Sequence, residues 1–288
     1  MLFLCLFVIM PPFMRQKGDI RMKIIDSHVH IYPDKIAHKA VQSIGDFYQL
    51  NMEMDGTLAH VLSRSAEAGI TRSLVHSVAL TWERTEAINN FIVASVQAHP
   101  DRLTGFGSVH PDHPQMEKVL DGIVDAGLKG VKLHPDTQFF HLDDPAAIRL
   151  YEAMAERGLI LLAHTGDHRY PYSQPERMAR ALDKVPSLTA ICAHFGGWSI
   201  WNQAWKVLAG RSNVYVDTSS SLYAITPEEA VKIIHRYGAS QVLFATDMPM
   251  WDPVKELERF NRLDLTEEER ELILYKNFER LMGETDGE

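Results

Sequence analysis

Leu159-Ile160-Leu161-Leu162-Ala163-His164 is an unbroken apolar run closed by a histidine. A strand with one face in water alternates apolar and polar residues. An unbroken run marks a strand covered on both faces, the condition of a parallel sheet flanked by helices. The same pattern recurs to either side, with strands expected at 23–28, 70–78, 103–110 and 128–134 before it, and at 188–194, 213–217 and 241–245 after it. Between them lie helical patterns: from Pro33-Asp34 through Val41 and Ile44, from Thr57 to a stop at Gly69, and over 81–98, 114–126, 144–157, 175–184, 200–208 and 227–237. Two further helices start at Pro253 and Thr266, the latter with a Thr-Glu-Glu-Glu opening that resembles a capping box.

Eight strands alternating with helices, without a linker, repeat or low-complexity tract, predict an α/β fold: a (β/α)8 TIM barrel in a single domain over residues 22–288. An open doubly wound sheet is the other arrangement of these elements. It is disfavoured because no Gly-rich phosphate loop follows the first strand. The opening Met1-Leu-Phe-Leu-Cys-Leu-Phe-Val-Ile-Met-Pro-Pro is too short an apolar run to span a bilayer. It lacks the basic start and small-residue cleavage site of a signal peptide. Residues 1–21 therefore read as a non-native or disordered extension, with a membrane anchor as the alternative.

The chain of 288 residues is 45% hydrophobic and 23% charged, with a net charge of −9 and no block of Lys or Arg. That balance argues against nucleic acid or an anionic membrane as the main partner. Cys5 and Cys192 cannot make a disulfide scaffold, and Cys192 lies in an apolar run where a buried free thiol is expected. A cytoplasmic protein acting on a small molecule fits best.

Barrel enzymes carry their chemistry at the C-terminal ends of the strands. Here the first strand ends in Asp26-Ser-His28-Val-His30, and residues i and i+2 of a strand share a face. The third ends in His110, the fourth in His134, the fifth in His164, the sixth in His194, the seventh in Asp217 and the eighth in Asp247. Packing does not explain apolar strands that repeatedly end in His or Asp, because a buried carboxylate costs several kcal/mol unless paired or metal-bound. Together these residues point to a metal centre.

His28-Val-His30, Leu162-Ala-His164-Thr-Gly, Cys192-Ala-His194-Phe-Gly-Gly and Phe244-Ala-Thr-Asp247-Met-Pro, in this order, resemble the amidohydrolase superfamily. The resemblance is to the amidohydrolase-related branch that includes aminocarboxymuconate-semialdehyde decarboxylase. It covers about residues 23–283, ending with Tyr275-Lys-Asn277-Phe-Glu-Arg-Leu-Met282, which is similar to the family's closing helix. The resemblance implies that His28, His30, His164 and Asp247 hold one divalent ion, with His194 beside it as the catalytic histidine. Three nitrogens and one oxygen suit Zn, with Mn, Fe, Co and Ni open. Such a site leaves room for a water, whose proton Asp247 would take while His194 orients the water or stabilises an oxyanion.

Lys132 stands two residues before His134 on the same strand face. In two-metal members of the superfamily a lysine at this strand is carboxylated and bridges two cations. The other reading is an ion pair with Asp217 or a neighbouring carboxylate. His110 and His134 are expected beside the ligands, at the substrate, or hydrogen-bonded to a loop. In the loops after the strands, Arg169, Tyr170, Tyr172, Trp198, Trp201, Tyr223 and Trp251 make an aromatic set with one cation. That set suits a small substrate with a ring or carboxylate, Arg169 being the candidate carboxylate clamp; loop packing or subunit contact is the alternative, and the resembled family often forms dimers.

The expected activity is hydrolysis of a C–N or C–O bond in an amide, lactone or ester. The alternative is metal-dependent, non-oxidative decarboxylation of a small unsaturated or aromatic acid, and the ligand set serves both. A chain compact for a decarboxylase, and the lack of an arginine in the loop after the first strand, lean towards hydrolysis. A third possibility is a metal-binding protein without turnover.

Overall fold

The computed structural model describes residues 22–284, and within them the strands and helices alternate as the sequence pattern requires. The extension expected at 1–21 lies outside the described residues. Nine strand segments occur: β1 (Ile25–His30), β2 (Arg72–His76), β3 (Leu103–Gly105), β4 (Gly107–Ser108), β5 (Gly130–Leu133), β6 (Ile160–Ala163), β7 (Ala190–Cys192), β8 (Val214–Asp217) and β9 (Val242–Leu243). All pair in parallel, in the order β1-β2-β3 and β4 through β9.

The strand expected at 103–110 is thus two segments broken at Phe106. The break is local, since Phe106 N–H still donates to the Val75 carbonyl at 3.0 Å. Its ring is fully buried inside the barrel, where a Cβ on Gly130 would approach it to 2.7 Å. β9 returns to β1 through Ser27 N–H to Phe244 O (3.0 Å), Asp247 N–H to His28 O (2.9 Å) and a bridge between Val29 and Met248. The segments therefore close into an eight-stranded barrel.

Two apolar cores follow from the alternation of side chains across each strand. Ile25, Leu74, Phe106, Leu162, Ile191 and Leu243 fill the barrel interior, with Phe278 of the last helix (Asn277–Leu281) and Met282 just after it packed against them. A larger core joins the outer strand faces to the surrounding helices. Asn277 fixes that closing segment by donating through Nδ2 to Ala239 O and Val242 O, both at 2.7 Å. The capping box expected at Thr266 is present, with Glu269 as its partner. Cys192 is a buried free thiol that burial pushes up to about 12. Among the described residues no helix is long and apolar enough to cross a membrane.

Candidate metal centre

β1 brings the first two histidines together by way of an irregularity. Its pairing with β2 slips between Asp26 and Val29, and beyond the slip Val29 faces the outer core. Register slips of this kind re-aim side chains at barrel rims. His28 Nε2 and His30 Nε2 come to 3.3 Å of each other, and each lies 3.4 Å from Asp247 Oδ1. Four donors held at about 2.1 Å around one ion in a tetrahedron stand about 3.4 Å apart. The spacing of these three donors fits such an ion.

The surroundings turn each donor inward. His28 Nδ1 lies 2.9 Å from Asp217 Oδ2, which leaves Nε2 for the centre. Ser220 Oγ donates to Asp247 Oδ2 at 2.5 Å and itself accepts from Trp251 Nε1 at 2.9 Å. Burial works against the Asp247 charge, but His28, His30 and His194 outweigh it and hold the carboxyl well below the usual range. Burial first, then Lys132, keeps His28 neutral by driving its pKa well down. Neutral imidazoles around a carboxylate are the protonation states that a metal requires.

His164 and His194 meet edge to face, with His194 Nε2 3.0 Å from His164 Nδ1. His194 stacks on His28 at 5.2 Å between ring centroids, and its Nδ1 lies 2.8 Å from Ser219 Oγ and 3.1 Å from Ser219 O. Burial lowers its pKa, partly offset by Asp247 and Asp217. The expected ligand set therefore falls into two contacting groups: His28, His30 and Asp247 form one triangle, while His164 faces it across His194. Both His194 (φ 61°) and Asp247 (φ 65°) sit in the left-handed region, which costs a non-glycine residue about 1–3 kcal/mol. Hydrogen bonds hold them there, from His194 N–H to Asp217 Oδ1 and from Asp247 N–H to His28 O, both at 2.9 Å. Gly166 is needed for close approach, since a Cβ there would lie 2.4 Å from Gly197 Cα. The Thr-Gly and Gly-Gly turns after β6 and β7 are so packed together.

The remaining expected residues divide. Lys132 is fully buried, with Nζ 3.0 Å from His28 Nε2 rather than on a carboxylate; burial draws its pKa down to about 8 against the pull of Asp247 and Asp217. His134 stacks on His164 at 4.1 Å, nearly parallel, and its Nε2 meets the Tyr48 hydroxyl at 2.7 Å. His110 gives both ring nitrogens to backbone, to Gln138 O at 3.1 Å and to Asp112 N–H at 3.2 Å, and so ties loops together. Trp198 packs edge-on against Tyr48, and Tyr223 stacks on Trp251 at 4.3 Å. Tyr172 packs further out, against His141 and Phe139, and Trp201 donates to Ser221 Oγ. Arg169 spends its donors on Asp167 and on the Phe47 carbonyl, and lies 5.0–5.3 Å from the rings of Phe47, Tyr48, Tyr170 and Trp198.

Four residues stand here that sequence reasoning passed over. His76 ends β2, fully buried, packs edge-on to His28 and His30, and has no hydrogen-bond partner on either ring nitrogen. The rule of strands ending in histidine would have found it. Tyr48 reaches His134 and His164 from the end of the first helix, Asp34–Tyr48. Asp136 and Asp167 place carboxylates beside His164. Burial, reinforced by Asp167 and opposed by a Ser173 hydrogen bond, raises Asp136 to about 7.

The chain matches the amidohydrolase family over residues 25–283 and belongs to it. Among curated proteins no sequence matches. Among solved structures, an uncharacterized TIM-barrel protein of Bordetella bronchiseptica is similar at TM-score 0.77 and 23% identity, over 91% of this chain and 99% of that one. The 5-carboxyvanillate decarboxylase of Sphingomonas paucimobilis is similar at TM-score 0.70 and 14% identity, over 92% and 100%. A dihydroxybenzoic acid decarboxylase of Polaromonas, solved with manganese and the inhibitor 2-nitroresorcinol, is similar at TM-score 0.68 and 17% identity, over 91% and 97%. This chain spans almost the whole of both decarboxylases.

Proposed function

We propose that this protein is a metal-dependent, non-oxidative decarboxylase of a small aromatic or unsaturated carboxylic acid. The observation that carries the reading is the likeness, over nearly their whole lengths, to decarboxylases of hydroxylated benzoic acids, one of them with manganese and a phenolic inhibitor. The apolar rings of Trp198, Tyr48, Tyr223 and Trp251 near the donors suit a planar, unsaturated substrate. This reverses the order of the two activities expected from sequence, hydrolysis becoming the alternative that the test below separates.

His28, His30 and Asp247 would hold the ion, with His164 as a fourth ligand, and the donor set takes Mn or Zn. A divalent ion held there would supply positive charge that favours an anionic, oxygen-bearing substrate and the electron pair left behind when CO2 departs. The residues do the rest. Ser219 O accepts from His194 Nδ1, which leaves Nε2 on the side of His164 and the candidate centre. In its protonated form His194 delivers the Nε2 proton to the carbon that bears the carboxylate. The bond to the carboxyl carbon then breaks, its electron pair stays with the ring or double bond, and CO2 departs: R–COO⁻ and H⁺ give R–H and CO2. Asp247 stays ionised throughout.

The test is turnover of a panel of hydroxylated benzoic acids in D2O by the manganese-loaded enzyme. Release of CO2 with one deuterium at the vacated carbon supports decarboxylation. Turnover of esters, lactones or amides in H2¹⁸O, with ¹⁸O in the product and no CO2, would establish hydrolysis instead.

A further inference from the structure

His164 and Asp136 each bury a polar atom that finds no hydrogen-bond partner: Nε2 of the histidine and Oδ1 of the aspartate. Both side chains are essentially inaccessible to water. They face each other, His164 Nε2 lying 3.6 Å from Asp136 Oδ2. Leaving such a donor and acceptor unmade costs about 1–3 kcal/mol each. Fold stability gives little reason to keep a buried carboxylate here, because its hydrogen bonds come from one serine, Ser173, whose Oγ lies 2.5 Å from Oδ2.

The other end of the same imidazole explains the arrangement. His164 Nδ1 faces His194 Nε2 at 3.0 Å and the Tyr48 hydroxyl at 3.5 Å, on the side of the candidate centre. The His134 ring, stacked at 4.1 Å with its plane only 5° off, fixes the orientation of the ring. Its backbone is fixed by the hydrogen bond from His164 N–H to Leu133 O at 3.0 Å. A neutral imidazole carries its proton on one nitrogen and its lone pair on the other. Metal-bound histidines give the proton to a carboxylate or carbonyl behind them.

We propose that Asp136 is a positioning residue for the metal centre: it accepts a hydrogen bond from His164 Nε2–H and so commits Nδ1 to the ion. The inference rests on the metal-centre reading above and deepens it. The gap of 3.6 Å closes to a hydrogen bond with a ring shift of a few tenths of an ångström. Asp136 lies on the turn directly after β5, so β5 buttresses the ligand that β6 carries.

The experiment is titration of metal-stripped protein with Mn²⁺, in the wild type and in Asp136→Asn, His164→Asn and the double variant. Asp136→Asn is expected to weaken binding about 10–100-fold, and to have no further effect once His164 is Asn. Equal affinity in Asp136→Asn, or an undiminished effect in the His164→Asn background, would overturn the role of Asp136 alone. A wild type that takes up no ion would overturn the metal-centre reading with it. A second measurement needs no variant: ¹⁵N NMR of the Zn²⁺-loaded wild type should show the His164 proton on Nε2. A proton on Nδ1 would overturn the proposal.

Discussion

His28 Nδ1 lies 2.9 Å from Asp217 Oδ2, and this pair decides which nitrogen of His28 faces His30 and Asp247. The carboxylate accepts a hydrogen bond from Nδ1–H, so the lone pair stays on Nε2. Asp217→Asn replaces that acceptor with an amide able to donate, which favours the proton on Nε2, where it blocks ligation. The variant should stay folded by circular dichroism and bind Mn²⁺ about 10–100-fold more weakly. Unchanged affinity would show that Asp217 does not set the His28 tautomer.

His194 is assigned to proton delivery rather than to holding the ion. His194→Ala should keep the ion and lose turnover by about 10²–10⁴-fold. Metal analysis beside kinetics reads both effects, and a variant that comes out metal-free would make His194 a ligand.

Arg169 is the residue whose meaning the fold changes most. Its guanidinium neutralises Asp167, which is fully buried, and lies within cation–π distance of four rings that include Tyr48 and Trp198. Arg169→Met leaves that carboxylate unpaired and should cost about 3–5 kcal/mol of stability in urea unfolding. Adding Asp167→Asn should recover part of the loss. If Arg169 is instead a carboxylate clamp, the single variant will keep its stability and raise only KM.

Glu256 gives a pH dependence away from the centre. Burial raises it to about 7, although Arg259 pulls the other way. Between about 4.5 and 7 the folded protein holds a proton that the unfolded chain has released, so stability falls as pH rises through that window. The loss attached to this group is on the order of 3 kcal/mol. Glu256→Gln should flatten that part of the profile and be the more stable form at pH 8, as unfolding at pH 5 and pH 8 will show. An unchanged slope would place the proton elsewhere.

The barrel and half of the candidate centre were legible because both are written in local pattern. Apolar runs such as 159–163 mark strands buried on both faces, and the His or Asp that closes each run marks the chemical end of the barrel. The break at Phe106 was hidden, since Gly105-Phe-Gly107 reads as a continuous apolar run, and the burial of Phe106 beside Gly130 shows only in the fold. His76 was passed over because Ser77-Val78 carries the strand pattern past it. Tyr48 and Asp136 were invisible for a stronger reason: one ends a helix and the other follows a Pro, and neither spacing says which strand end it will reach. Arg169 looked free although its partner stands two residues away, because only the fold shows that Asp167 is buried and in need of a cation.

The metal centre is tested most directly by the number of Mn²⁺ ions bound by metal-stripped protein, in the wild type and in His30→Ala and Asp247→Asn. A single-ion centre on His28, His30 and Asp247 predicts one tight equivalent in the wild type and its loss in both variants. A second tight equivalent would bring Lys132 in as a bridge between two ions. No tight equivalent, or one that survives in both variants, would rule out a centre on these residues.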